Sequence, residues 1–395
     1  MLVSDFREII ELSPGTISVP PQGYGGSERM IFGLSKSLAT LTRVRIVNFG
    51  IRPAEAVVDN VAVSCIKCFF RIQRDRGVIT YNWNALISGL AFFFAELQHR
   101  TKRDNVVIHF HQGMQFTVYW CLKQVFMHNA RQELVFSLHS PKWMKRELMP
   151  KLHLVVATAS ELVALRVADF ATVESVAVAR GVSISALRSG RHMVLPNGVD
   201  TSVFRHSDEF SIMGEGILYA ARIREQKDQL TVVRAMSRLK ATHSGARLLL
   251  LGDAEDQRYY KRVVDEVRRL ELDEVITFAP STSIEELNQI RSRYPIHLVY
   301  SSYTGFDVAV GETLSFGVAT VLSDIPTLKG VVTNGVDCVL VPPQNAESLA
   351  DALEMLLDHP EVRKRLGDGA RRTALTKLDW NALAGQFYKR IRNVH

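Results

Sequence analysis

Short apolar runs rich in β-branched residues alternate along the chain with longer stretches of helical periodicity. Apolar strands separated by amphipathic helices are typical of a parallel sheet that is covered by helices on both faces. In the first half the pattern predicts strands at Thr16–Val19, Arg43–Phe49, Val61–Cys65, Val106–His111, Leu134–His139 and Leu154–Ala157, with helices at Glu28–Leu38, Asn84–Arg100 and Thr117–His128.

The second half repeats this alternation with clearer spacing. Ser283 and Glu286 have the spacing of a capping box at a helix start. The predicted strands are Gly216–Ala221, Arg247–Leu251, Val275–Phe278, Ile296–Tyr300, Thr320–Ser323 and Cys338–Val341, and the predicted helices are Asp228–Leu239, Gln257–Leu270, Ile284–Arg293, Val308–Phe316 and Ala346–Leu357. The pattern therefore predicts an α/β protein made of two doubly wound, Rossmann-like halves.

The chain has 395 residues, which is too long for one ordinary core and indicates two domains. The segment from Pro196 to Asp200 contains a Pro-Asn-Gly turn and marks the predicted joint. We expect a first domain over residues 1–196 and a second over residues 197–375. The periodic stretch Trp380–Ile391 predicts a helix in residues 376–395 that packs back on the first domain.

Charge indicates the class of partner. The formal net charge is +7 and the pI is about 9.2, which favours anionic partners such as phosphates. The chain has no cluster of basic residues interleaved with aromatic ones, so nucleic acid is not an expected partner. Lys67 to Arg76 places arginines beside Phe69 and Phe70, which predicts either a peripheral contact with a membrane surface or a solvated segment.

Four cysteines in a chain of this length indicate a reducing compartment, so we expect a cytoplasmic location. Cys65 and Cys68 form one C-x-x-C pair without a second pair, and a structural role is expected for them rather than a metal site. Met1 to Leu12 contains four charged residues, unlike a signal peptide. The longest apolar run, Ala85 to Ala95, is shorter than the ~20 residues that span a bilayer.

A glycine-rich segment, Pro20 to Glu28, follows the first predicted strand and opens the first helix. Gly25 and Gly26 lack a Cβ, so a ligand can approach the backbone closely, and a helix N-terminus attracts anions. The alternative is that the glycines only allow the loop backbone to adopt positive φ angles. The spacing differs from the G-x-G-x-x-G of nicotinamide enzymes.

A basic loop, Ala221 to Asp228, follows the first strand of the second half. Arg222 can bind phosphate through two parallel N–H groups, and Lys227 adds a compact positive charge. Such cations stabilise the charge that develops on a departing diphosphate. Taken alone, without the other candidate segments, this loop is more typical of a basic turn that is exposed to solvent.

A second candidate loop, Ser301 to Gly317, joins a strand to a helix that contains a single acid, Glu312. Ligands of open parallel sheets bind at the carboxyl ends of strands, where Glu312 can accept hydrogen bonds from hydroxyl groups. The alternative is an ordinary strand–turn–helix connection with a solvated glutamate.

His109 and His111 lie two apart at the end of a strand and therefore face the same side. Histidines are good metal ligands, but a core or substrate-contacting role is favoured because no carboxylate or cysteine lies beside them in the sequence. Asp253 to Asp256 is an acidic turn that suits either Mg²⁺ or, with more support, a helix N-terminus.

These segments together resemble the family 4 glycosyltransferases of the GT-B fold. The resemblance covers nearly the whole chain and is carried by Gly23–Arg29, Leu195–Thr201, Ala221–Asp228 and Thr304–Gly317. It implies two facing Rossmann-like domains, with the reaction in the cleft between them. It also implies transfer of a sugar from a nucleotide-diphosphate donor, UDP- or GDP-linked, with retention at the anomeric carbon and without a metal or other cofactor.

The resemblance also implies roles for individual residues, and each is taken over by position. Gly25 and Gly26 line the diphosphate side, and Arg222 and Lys227 hold the phosphates. Glu312 takes the ribose hydroxyls, and His111 stands near the transferred sugar and the acceptor. The backbone from Phe278 to Pro280 edges the nucleobase. The implied acceptor is a carbohydrate, a lipid-linked molecule or a small molecule.

The chain departs from the family pattern in the donor-binding segment Thr304, Gly305, Phe306 and Asp307. Thr304 replaces an acid that normally contacts the donor sugar, and Asp307 replaces a glycine. Two alternatives to an active transferase therefore stay open: a catalytically silent scaffold or partner subunit, and a sugar-nucleotide epimerase. A nicotinamide oxidoreductase is a weaker third.

Overall fold

The computed structural model describes residues 8–14, 19–20, 26–50, 52–68, 78–98, 105–139, 151–182, 190–206, 214–302 and 307–393. The chain divides into two compact units, one formed by residues 1–198 together with 380–395 and the other by residues 199–379. Each unit is built on its own sheet and is described separately.

The sheet of the first unit has the strand order β3-β4-β2-β1-β5-β6-β7-β8. Its neighbouring strands are parallel except for the antiparallel pair β3 and β4. The strands are β1 Glu8–Leu12, β2 Val44–Gly50, β3 Ala54–Val58, β4 Val61–Lys67, β5 Val106–Phe110, β6 Gln132–Leu138, β7 Phe170–Val173 and β8 His192–Val194. After β1 the chain adds β2, β3 and β4 on one side of this strand, and from β5 onwards it adds strands on the other side. The position between β1 and β5 is therefore the topological switch point.

Helices cover both faces of this sheet. They are α1 Gly26–Leu38, α2 Val78–Gln98, α3 Gly113–Phe126, α4 Lys151–Val167, α5 Val176–Gly181 and the last helix of the chain, α12 Trp380–Arg392. One face packs around Ile108 and Phe110 with Phe116 of α3. The other packs around Ile9 with Ile31 of α1 and with α12. This two-faced burial explains why the strands read as continuous apolar runs.

Helix α12 is anchored to the first unit by Trp380. A Cβ on Gly33 of α1 would lie 2.2 Å from Nε1 of Trp380, and a Cβ on Gly198 would lie 2.5 Å from its ring carbons. The indole therefore occupies a space that exists only because both positions lack a side chain. The whole residue is 7% exposed.

The sheet of the second unit has six strands in the order β11-β10-β9-β12-β13-β14, and all its neighbours are parallel. The strands are β9 Gly216–Ala220, β10 Arg247–Leu251, β11 Ile276–Ala279, β12 Ile296–Val299, β13 Ala319–Ser323 and β14 Val339–Val341. After β9 the chain adds β10 and β11 on one side of this strand and then adds β12 on the other side. The switch point therefore lies between β9 and β12.

The helices of the second unit are α6 Gln229–Thr242, α7 Gln257–Arg269, α8 Ile284–Arg293, α9 Val308–Ser315, α10 Ala346–Asp358 and α11 Pro360–Thr373. Several begin at side-chain caps. Asp256 accepts from two backbone N–H groups of α7, Ser283 accepts from Glu286 N of α8, and Asn345 accepts from Ser348 N of α10. The acidic turn ending at Asp256 is thus a helix start, as favoured from the sequence.

The predicted α/β class and the paired Rossmann-like sheets are confirmed, whereas several single elements differ from prediction. Leu154–Ala157, predicted as a strand, lies inside helix α4, so that prediction is wrong. Strands β1, β3, β7 and β8 were not predicted. Residues 16–18 of the predicted strand Thr16–Val19 lie outside the described residues. The four cysteines are free.

Helix α2 is 21 residues long and strongly apolar. Neither it nor any other helix in the described part of the chain combines the length and the hydrophobicity that crossing a membrane requires.

Candidate functional site

The loops that leave β9 and β12 meet at the switch point of the second sheet. Ser301 Oγ donates a hydrogen bond to the Gln226 carbonyl at 2.8 Å, and Ser302 N donates to the same oxygen at 3.1 Å. The Tyr219 hydroxyl donates to the Lys227 carbonyl at 2.6 Å from below the loop. The basic loop is therefore fixed at the carboxyl edge of the sheet, where ligands of such sheets bind.

The loop after β10 closes this edge on its other side. Ile223 N donates to the Asp253 carbonyl at 2.9 Å. Gly252 has φ +150°, and a Cβ there would lie 2.3 Å from the Ala221 carbonyl oxygen. Glycine is required at this position because the two backbones approach too closely for any side chain.

Lys227 lies at the centre of the edge and is mostly buried, since its side chain is 12% exposed. Its ammonium forms an ion pair with Asp307, which follows β12. Burial, together with the nearby positive charges of Arg224 and Arg222, lowers the pKa of Lys227 to about 7. The Asp307 carboxylate acts in the opposite direction, because it stabilises the ammonium form.

The two arginines of the loop share one carboxylate. Arg222 lies 2.9 Å from Glu255 and Arg224 lies 3.4 Å from it. In the described part of this edge, Arg222 and Arg224 thus pair with Glu255, and Lys227 pairs with Asp307. The cluster can accept an added anion by exchanging these internal partners for phosphate oxygens.

Asp307 has a second contact, with the helix that follows. Its Oδ1 accepts from Ala309 N at 3.2 Å and so caps α9, while its Oδ2 pairs with Lys227. Asp307 therefore joins the start of α9 to the basic loop. Thr304, Gly305 and Phe306, which precede Asp307 and were also predicted to bind the donor, lie outside the described residues.

Glu312 lies inside α9 and is buried. Its Oε2 accepts from Nη2 of Arg291 at 3.0 Å, and the two side chains are 8% and 2% exposed. The Arg291 guanidinium lies between Phe204 and Phe316, 5.5 Å from each ring centroid. Arg291 was missed at the sequence level, because a single arginine near the end of α8 is normally solvated and carries no local sign of burial.

The remaining predicted donor-side residues are dispersed. Gly25 lies outside the described residues and Gly26 begins α1. Phe278 lies in β11, where its ring contacts Tyr260 at 5.6 Å, and Pro280 follows it exposed. Since β10 lies between β11 and β9, Phe278 is two strands from the switch point, and its assignment to a nucleobase stays a prediction.

His111, the predicted residue of the first unit, lies at the switch point of the first sheet. Its Nε2 is 2.8 Å from Oε2 of Glu11, and its side chain is 1% exposed. His109 Nδ1 lies 2.9 Å from the same oxygen. The two histidines hold the pKa of Glu11 at about 2 against the opposing effect of its burial. Glu11 was missed because it lies in a strand that was not predicted.

Comparison with known proteins agrees with this geometry. Residues 208–373 match the family described as glycosyl transferases group 1. A glycogen synthase of Mycobacterium tuberculosis is 26% identical over 192 residues, which cover 48% of this chain and 46% of the relative. An MMP alpha-(1->4)-mannosyltransferase of Mycolicibacterium hassiacum is 25% identical over 260 residues, 66% of this chain and 62% of the relative. The matched part thus spans about half the length of these curated relatives.

Solved structures resemble the chain over almost its full length. Sucrose-phosphate synthase from Thermosynechococcus elongatus has a TM-score of 0.78 and 21% identity, and covers 98% of this chain and 99% of its own. Anabaena HepE in complex with UDP and glucose has a TM-score of 0.74 and 18% identity, and the match covers 98% of this chain and 100% of HepE. By its two Rossmann-like sheets and its likeness to these solved structures the chain has the GT-B fold, and residues 208–373 in its second unit match the group 1 glycosyltransferase family.

Proposed function

We propose that the chain transfers a sugar from a nucleotide-diphosphate sugar to an acceptor hydroxyl, with retention at the anomeric carbon. The observation that carries the proposal is a mostly buried lysine, Lys227, at the switch point of the second sheet, with Arg222 and Arg224 beside it. This is an anion site at the place where open α/β sheets bind nucleotides. The match of residues 208–373 to the group 1 glycosyltransferase family supports a sugar nucleotide as the anion.

In this proposal the diphosphate replaces the carboxylates that now neutralise the basic loop. Lys227 exchanges Asp307 for a phosphate oxygen, and Arg222 exchanges Glu255 for two parallel hydrogen bonds to phosphate. Glu312, held in place by Arg291, accepts hydrogen bonds from the ribose hydroxyls. Gly25 and Gly26 approach the diphosphate with their backbone, and Phe278 to Pro280 edges the base.

The relatives support a UDP- or GDP-linked donor. HepE has been crystallised with UDP and with UDP-glucose. A relative in Xanthomonas oryzae is named as a GDP-mannose:cellobiosyl-diphosphopolyprenol alpha-mannosyltransferase, which pairs a nucleotide sugar with a lipid-linked acceptor. A carbohydrate, a lipid-linked molecule and a small molecule all remain acceptors in the proposal. The membrane contact predicted at Lys67 to Arg76 stays a prediction, because residues 69–77 lie outside the described residues.

The proposed step is a substitution on the front face of the donor sugar. The acceptor oxygen bonds to the anomeric carbon on the face from which the diphosphate leaves. The diphosphate takes the electron pair of the broken carbon–oxygen bond, and one of its oxygens takes the acceptor proton. The chain contributes fixed positive charge, from Lys227 and Arg222, where negative charge develops.

Turnover of a nucleotide sugar by single variants tests the proposal. If each cation contributes about as much as an oxyanion-hole donor, Lys227→Ala and Arg222→Ala each lower the rate ~100-fold or more. Lys261→Ala, an exposed lysine on α7, is the matched control and keeps the wild-type rate. EDTA leaves turnover unchanged if these cations suffice. Near-wild-type turnover in both site variants rejects the phosphate assignment.

A further inference from the structure

The basic loop is tied to the interior of the second unit at both residues that we assign to phosphate. Gln229, the first residue of α6, donates from its Nε2 to the Arg222 carbonyl at 3.0 Å. The Tyr219 hydroxyl donates to the Lys227 carbonyl at 2.6 Å. Gln229 and Tyr219 are each 1% exposed. A buried side chain therefore holds the backbone of each of the two cationic residues.

Tyr219 also joins the basic loop to the neighbouring strand. It lies on β9, and its hydroxyl contacts the carbonyl of Tyr300, which directly follows β12. A phenol carries one proton, so the carbonyls of Lys227 and Tyr300 share this donor. Burial raises the pKa of Tyr219 well above its usual range, and the hydroxyl therefore keeps its proton at physiological pH. This hydroxyl thus links the loop to both strands of the switch point.

The turn that ends in Lys227 is short. Glu225–Lys227 forms one 3₁₀ turn, in which Lys227 N donates to the Arg224 carbonyl at 2.9 Å. Asp228 follows with φ +48° and ψ +45°, in the left-handed conformation. A single turn gains few hydrogen bonds for the residues that it orders, and a left-handed aspartate adds strain. Contacts from outside the turn, such as that of Tyr219, are therefore needed to keep it in one conformation.

The loop backbone determines where the two cations lie. The Lys227 ammonium is held beside Asp307, and its side chain is 12% exposed. Burial, together with the positive charges of Arg224 and Arg222, lowers the pKa of this ammonium to about 7. A loop that could move away from the sheet would expose the ammonium to water. A fixed loop presents its cations without the loss of freedom that a mobile loop undergoes on binding.

We propose that Tyr219 and Gln229 are positioning residues that fix the basic loop for the diphosphate of the donor. They act through the carbonyls of Lys227 and Arg222 and do not touch the ligand themselves. The inference deepens the proposed function and rests on it, since the diphosphate is the ligand that the two cations would hold. It adds that affinity for this ligand depends on a buried hydroxyl and a buried amide outside the loop.

The alternative is that Tyr219 only stabilises the second unit, and Tyr300 offers a matched control for it. Tyr300 is 0% exposed, and its hydroxyl donates to the Pro342 carbonyl at 2.8 Å and accepts from Asn345 N at 3.2 Å. These contacts lead to the start of α10 and not to the basic loop. Tyr300→Phe therefore removes a buried hydroxyl from the same unit but keeps the carbonyl that Tyr219 contacts.

Isothermal calorimetry of the full chain with UDP and GDP, below the pKa of Lys227, gives the first readout. We expect Tyr219→Phe and Gln229→Met each to bind the preferred nucleotide about tenfold more weakly than wild type, the equivalent of one hydrogen bond. Tyr300→Phe should bind it as wild type does. So should Gln257→Met, since Gln257 is the exposed first residue of α7 and matches Gln229 in its place on a helix.

A second readout needs no nucleotide. NMR titration of the full chain labelled with ¹³C-lysine follows the ammonium of Lys227, whose signal is identified by its loss in Lys227→Arg. In Tyr219→Phe we expect the pKa of Lys227 to rise from about 7 toward the usual range of a solvated lysine, because water reaches the loosened loop. In Tyr300→Phe it should stay near its wild-type value, because the loop keeps its support.

The proposal is overturned if Tyr219→Phe binds nucleotide as tightly as wild type, if the two tyrosine variants lose affinity equally, or if the pKa of Lys227 is unchanged in folded Tyr219→Phe. Wild-type affinity in Gln229→Met would overturn the role of Gln229. Absence of nucleotide binding by wild type would remove the proposed function, whereas the lysine titration would still show whether Tyr219 holds the loop.

Discussion

The mostly buried ammonium group of Lys227 lies near two arginines and pairs with Asp307, and its charge depends on pH within the physiological range. Its pKa is lowered to about 7, so the ammonium form is lost as the pH rises through 7. Between pH 7 and 9 the terminal phosphate of a nucleoside diphosphate is already ionised, since its pKa is near 6. Protonation of the phosphate therefore does not contribute to a loss of affinity in this window.

We expect the dissociation constant of UDP or GDP to rise between pH 7 and 9, by at most about tenfold per pH unit for one proton. Lys227→Arg should flatten this profile, because a guanidinium stays charged throughout the window. Isothermal calorimetry at several pH values measures both proteins. Identical slopes in wild type and Lys227→Arg would show that Lys227 is not the titrating group.

Asp307 competes with phosphate for Lys227. Asp307→Asn removes the competing charge and keeps a good helix cap, since asparagine and aspartate cap equally well. We expect the variant to bind nucleoside diphosphate at least about tenfold more tightly at pH 5.5, which is far enough below the lysine pKa of about 7 for Lys227 to keep its proton after the carboxylate is removed.

Asp256→Asn is the matched control for this change, because Asp256 caps α7 in the same way. Its affinity for nucleoside diphosphate should equal that of wild type. Weaker binding by Asp307→Asn would instead mean that Asp307 contacts the donor itself.

At the scale of elements, α12 is held on α1 by contact between Trp380 and Gly33. Trp380→Ala removes a buried indole and should lower the free energy of unfolding by about 3–5 kcal/mol. Gln386→Ala, at an exposed position of α12, should change it by less than about 0.5 kcal/mol. Denaturant unfolding measures both.

A double-mutant cycle then tests the contact itself. Gly33→Ala should destabilise wild type by about 1–3 kcal/mol, because its Cβ would overlap Trp380. In the Trp380→Ala background the same change should be neutral or stabilising by up to about 1 kcal/mol, since alanine favours helix. Additive effects would contradict the packing described.

The elements that were predicted correctly are those whose pattern of apolar residues matches their burial in the fold. All six strands of the second sheet were anticipated because each is an apolar run between helical periods. Leu154–Ala157 was mistaken for a strand because its apolar residues suit either element. Strand β1 was missed because Glu8 and Glu11 break its apolar run.

In the candidate sites, too, some residues were predicted from the sequence and others were not. Arg222, Lys227 and Glu312 were named from their places after strands or within a helix. Their partners were not all foreseen. Glu11 is hydrogen-bonded to histidines 98 and 100 residues away, and Arg291 pairs with Glu312 from another helix. Such partners depend on the tertiary fold and leave no local trace in the sequence.

At the scale of the whole molecule, both sheets place polar or charged residues at their switch points, and among the residues that the structure describes the second offers a cluster of cations. Nucleotides should therefore stabilise the chain through the second unit. A ligand at 100 times its dissociation constant adds ~2.7 kcal/mol to the free energy of unfolding. A thermal-shift screen of UDP-, GDP-, ADP- and dTDP-sugars identifies the base, and we expect a UDP or GDP sugar to give the largest shift.

The most direct measurement is the calorimetric affinity of the full chain for UDP and GDP in wild type, Lys227→Met and Lys261→Met. Methionine keeps most of the length of lysine and removes its charge. We predict that wild type and Lys261→Met bind at least one nucleotide equally well and that Lys227→Met binds it ~100-fold more weakly, a difference of about 2.7 kcal/mol. Equal affinity in all three proteins would contradict the assignment of the diphosphate to Lys227.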